Sequence, residues 1–151
     1  MQRNANFSLL LVCFFLSGLA GLIYQTAWTR EFAFVFGTSN LAVATVLAAY
    51  MAGLAAGAAA AARLAHLVTR PLLTYGVLEL GVGLTALGVP LAIHGSQAMY
   101  VSLFGGQPEL PEAGGLSSAL FYMVCSFAIL MIPTAMMGAT LPLLVLSLIH
   151  I

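Results

Sequence analysis

Long apolar runs separated by short polar breaks set the pattern of this chain. Four runs occur in order: Phe7 to about Trp28, Leu41 to about Ala62, Leu72 to Ile93, and Leu116 to Ile149. At 1.5 Å rise per residue, each of the first three makes a helix of roughly 33 Å, enough for a hydrocarbon core of about 30 Å. The fourth run, at roughly 50 Å, is too long for one straight span. Pro133, Gly138 and Pro142 interrupt it. The pattern therefore predicts spans over about 7–28, 41–62, 72–93 and 117–137. A turn or kink and a short apolar tail, 138–151, follow the last span. The fold class expected is all-α: a polytopic membrane helix bundle forming a single domain over 1–151, with a Pro/Gly-broken fourth segment.

The first run reads as a retained helix rather than a cleaved leader. Its apolar stretch outlasts a typical leader core, its polar flank is weakly basic, and no clean Ala-x-Ala site precedes a mature domain.

Composition supports the membrane reading. The chain is 62% hydrophobic and 5% charged, where a soluble domain carries about a quarter charged residues. It contains neither Asp nor Lys. Its net charge is zero, which removes nucleic acid as an expected partner. Cys13 and Cys125 both lie in apolar runs without metal-ligand spacing, so two free thiols are expected.

One acid breaks the pattern. Glu79 stands inside the apolar run from Pro71 to Ile93. An acid at the centre of a bilayer-spanning helix costs roughly 2.5–3.5 kcal/mol on insertion scales, so it needs a partner or a cavity. Tyr24, Gln25, Arg30 and Tyr50 are the candidate partners; with Glu79 they make the expected intramembrane polar network and binding site. The cluster of Tyr24, Gln25, Trp28, Thr29, Arg30 and Glu31 also suits an interface anchor at the end of the first span.

Arginine placement orients the bundle. Arg3, Arg63 and Arg70 fall on one side and Arg30 on the other, so the positive-inside rule puts both termini inside a bacterial-type cytoplasmic (inner) membrane. The segment around 95–116 then reads as an irregular outer loop, bearing Glu109 and Glu112.

Gly53 and Gly57 have GxxxG spacing, which lets helix backbones approach closely in lipid. The face serves packing within the bundle or against another subunit. Gly18, Gly21, Gly76, Gly81, Gly83 and Gly88 point to tight packing elsewhere. Gly81 and Gly83 do not make a nucleotide loop, because no third glycine and no preceding strand accompany them.

No catalytic residues and no metal site emerge. His66, His94 and His150 stand at span edges, far apart in sequence, without a metal motif. Met131, Met136 and Met137 read as adaptable packing. No motif implies a cofactor, and its identity stays open.

Four segments carry a family resemblance: FLSGLAGLIYQTAWTR (15–30), ATVLAAYMAGLAAG (44–57), LELGVGL (78–84) and MGATLPLL (137–144). In this order they resemble the N-terminal transmembrane domain of the membrane-bound spermidine synthase-like proteins, often labelled fused major-facilitator/spermidine synthase. The resemblance implies a multi-helix membrane domain followed by further helices and a cytoplasmic aminopropyltransferase-like domain. These 151 residues hold no such catalytic segment, so the activity does not carry over and the chain reads as not an enzyme. The loop RLAHLVTR (63–70) also resembles the short cytoplasmic loop of major-facilitator transporters, but His66 stands where an acid is usual.

The expectation is thus a non-catalytic integral membrane module, a structural or accessory subunit whose partners are the lipid bilayer and other membrane subunits. Two alternatives stand beside it. One is a transporter-like or small-cation-binding half-unit using Glu79. The other is a membrane anchor for a separate aminopropyltransferase.

Overall fold

A computed structural model describes residues 2–37, 40–105 and 115–149. Four helices fill it: α1 (Gln2–Phe36), α2 (Asn40–Leu64), α3 (Pro71–Phe104) and α4 (Gly115–Ile149). A single 3-10 turn at Ala65–Leu67 lies between α2 and α3. No strand occurs among the described residues. Short connections make successive helices antiparallel, so α1 and α3 run one way and α2 and α4 the other.

Every helix contains a stretch long and apolar enough to cross a membrane. The outward faces fit that setting. Leu80, Leu84, Leu87 and Leu91 line one side of α3 at helical spacing, each more than 70% exposed. Water would make such a stripe a liability, whereas hydrocarbon solvates it.

Glycine decides where helices end. Gly37 (φ 85°) follows α1 and returns its amide to the Ala33 carbonyl at 3.0 Å. Gly105 (φ 72°) follows α3 and returns its amide to Val101 at 2.9 Å. Both sit in left-handed conformation, which glycine adopts without steric cost. Pro71 opens α3 at its first turn, where a missing amide proton costs nothing.

Two helices outrun the expected spans. α1 continues past Trp28 because Phe32 and Phe36 extend its buried face onto the bundle. α3 continues through the expected outer loop because Tyr100 packs against Phe121 and Tyr122, with ring centroids 5.3 and 5.6 Å away. The Tyr100 hydroxyl also lies 2.9 Å from Ser118 Oγ. Residues 106–114, where the remainder of that loop and Glu109 and Glu112 fall, lie outside the described residues.

The fourth segment corrects the expectation of a helix stopping near residue 137. α4 runs unbroken through Pro133 and Pro142. Buried prolines survive inside spans when nearby hydroxyls and neighbouring helices serve the backbone they disturb. Pro133 is fully buried and leaves the Ile129 carbonyl without its helical donor; next to that carbonyl, Thr134 donates to Leu130 at 2.6 Å. Pro142 likewise leaves the Gly138 carbonyl without its helical donor, and Thr140 donates to the adjacent Met137 carbonyl at 2.6 Å.

The tightest seam joins α2 to α4. A Cβ added at Gly53 would overlap the Thr134 side chain, one at Gly57 the Ala135 backbone, and one at Gly138 the Leu54 backbone. The Gly53/Gly57 face is therefore spent inside the bundle, against α4. Gly18, Gly76, Gly83 and Gly88 meet nothing at that distance, so they are not close-packing positions.

Candidate functional site

Glu79 sits on α3 eight residues past Pro71, roughly 12 Å along the helix. It is half-buried, on the side of α3 that meets α1. Ser17 of α1 donates its hydroxyl to Glu79 Oε1 at 2.6 Å. Tyr75, one turn earlier on the same face of α3, is buried and interacts with both Glu79 and Ser17. A short hydroxyl-to-carboxyl contact of this kind satisfies an acid in hydrocarbon and pins two helices at one depth.

The four partners expected for Glu79 lie elsewhere. Tyr50 donates to the Gly21 carbonyl at 3.0 Å and approaches Met137 Sδ at 3.8 Å. Tyr24 stacks on Trp28, with ring centroids 5.3 Å apart and planes 9° from parallel. Gln25 faces a cleft between α1, α2 and α4. Arg30 is exposed on α1. The reason is depth. α1 and α3 run in the same direction, with Ser17 level with Glu79. Tyr24 then stands roughly 10 Å too high and Arg30 roughly 20 Å too high.

Ser17 was the residue the sequence reading missed. It stands ten residues into its apolar run, as Glu79 stands eight into α3, and counting both from the same membrane face points to it. Its small side chain gives little other signal.

The cleft that Gln25 and Tyr50 face is about 430 Å³ in volume. Ser17, the partner of Glu79, is on its wall, and Glu79 itself does not line it. The cleft exists because α1 packs sparsely on α2 and α4.

The remaining candidates are dispersed. His66 is exposed in the α2–α3 turn, its Nδ1 2.9 Å from the Arg63 carbonyl. His94 is exposed on α3, with Nδ1 2.8 Å from the Pro90 carbonyl. His150 lies outside the described residues. Cys13 is exposed, Cys125 buried, and both are free thiols. Among the described residues no three His, Cys, Asp or Glu side chains converge to hold a metal.

Fold and polar pair together define an all-α, four-helix membrane bundle. No family model, curated protein or solved structure matches the chain.

Proposed function

We propose that this chain is a non-catalytic integral membrane module that packs as a structural or accessory subunit in a larger assembly of the bacterial-type inner membrane, with both termini inside. The resemblance of its four segments to the membrane domain of spermidine synthase-like proteins is consistent with such a module.

The observation that carries the reading is the seating of α1. Only 6% of its spanning window is buried in the bundle, against 39% for α4. Yet α1 bears the hydroxyl that satisfies Glu79 and the Gln25 amide. A helix with polar groups at membrane depth and most of its surface bare is suited to packing against further helices.

Purification from its native membrane in mild detergent tests this. The expected result is stoichiometric co-purifying membrane proteins. A monodisperse, partner-free monomer overturns the proposal.

A further inference from the structure

The cleft between α1, α2 and α4 has chemistry of its own. It extends along α1 from Phe14 to Gln25, eleven residues or roughly 16 Å. Its walls are mainly apolar, with Phe14, Leu54 and Leu141 among them. Its volume of about 430 Å³ is in the range of small-molecule sites.

The polar atoms on the wall fall into two kinds. Three hydroxyls have already committed their protons: Ser17 to Glu79, Tyr50 to the Gly21 carbonyl and Thr140 to the Met137 carbonyl. They offer lone pairs only. The Gln25 side-chain amide makes no hydrogen bond within the described residues, and it offers both donors and an acceptor. An amide left unpaired at membrane depth is costly. The wall as a whole thus calls for a ligand group that donates and also accepts.

Charge narrows the class. None of the residues lining the cleft is charged, and Glu79, already bonded to Ser17, is not among them. A cation placed here would lack a direct counter-ion, which hydrocarbon penalises heavily. A neutral hydroxyl meets the requirement.

We propose that this cleft binds a neutral, single-chain amphiphile with a hydroxyl head, the hydroxyl meeting Gln25 and Tyr50 and the hydrocarbon tail running along α1 toward Phe14. The inference draws on the same Gln25 amide as the accessory-subunit reading, but its test, ligand binding to the isolated chain, does not depend on partner subunits.

Radiolabelled undecanol, titrated onto the purified full chain in lipid nanodiscs with empty nanodiscs as reference, tests it. The expected result is saturable binding of about one molecule per chain, with unlabelled undecyl methyl ether competing about fivefold more weakly because it cannot donate. Gln25→Leu should weaken binding by about fivefold. Gly18→Leu should abolish it, since Gly18 lines the cleft, an added Cβ there meets no atom within 4 Å, and the longer side chain takes up cleft volume. Should Gln25→Leu lose its helical circular dichroism, the alcohol-to-ether comparison and Gly18→Leu decide the matter. Uptake that never saturates, or that is equal for the alcohol, the ether and Gly18→Leu, overturns the proposal and leaves bilayer partitioning only.

Discussion

A carboxyl in lipid needs a donor at its own depth, and Ser17 supplies it for Glu79. Deleting that donor leaves the acid with Tyr75 alone, whereas deleting Ser17 and the acid together leaves no carboxyl to satisfy. Ser17→Ala should therefore destabilise the bundle by about 0.6–2 kcal/mol, the range seen for hydrogen bonds between membrane helices. Ser17→Ala combined with Glu79→Leu should recover most of the loss. Unfolding titrations in mixed micelles check this, and a double variant weaker than Ser17→Ala would contradict it. Glu79→Gln retains an acceptor for Ser17, so insertion and helix content should stay unchanged. Under the accessory reading it should leave any solute flux in proteoliposomes unchanged too; abolished flux would favour the transport alternative. The sequence made Glu79 conspicuous because it is the lone acid of its apolar run. It did not reveal the partner, because attention falls on large polar side chains while depth is what selects.

At the scale of elements, the α2–α4 seam is where backbone approach matters. Adding a methyl at Gly57 forces it into the Ala135 backbone, which cannot rotate aside. Gly57→Ala should cost about 1–3 kcal/mol, typical of overpacking, while Gly18→Ala should be close to neutral because nothing lies near its added carbon. Thermal unfolding of the two variants side by side checks the contrast, and equal losses would contradict it. The GxxxG spacing announced a close contact but not the helix receiving it, because Gly138, Thr134 and Ala135 come from a run whose prolines signal interruption. Those prolines behave differently in a span than a soluble rule implies. Threonine hydroxyls serve the neighbouring carbonyls, and burial holds Pro133 in place. Helix lengths were legible only as far as the apolar runs. The extensions to Phe36 and Phe104 come from aromatic contacts among Phe36, Tyr100, Phe121 and Tyr122 that no local pattern encodes.

The whole molecule is a bundle turned outward, with leucine on its surface and glycine, threonine and aromatic rings inside. Its class was legible from composition and run length, since so few charged residues cannot solvate a globule of this size. The proposed orientation rests on the arginines at the α2–α3 turn, Arg63 and Arg70, set against Arg30 on the other side of the expected topology. If α3 spans the membrane, that turn and the start of α4 face opposite sides of it. The direct measurement is labelling of single cysteines, Thr69→Cys or Ser117→Cys, in a background with Cys13 and Cys125 replaced by Ser. Both positions are exposed beside helix ends. With a membrane-impermeant maleimide, Ser117→Cys should react on intact cells and Thr69→Cys only after permeabilisation. Equal reactivity of the two on intact cells would contradict a helix crossing between them, and reversed reactivity would contradict the orientation.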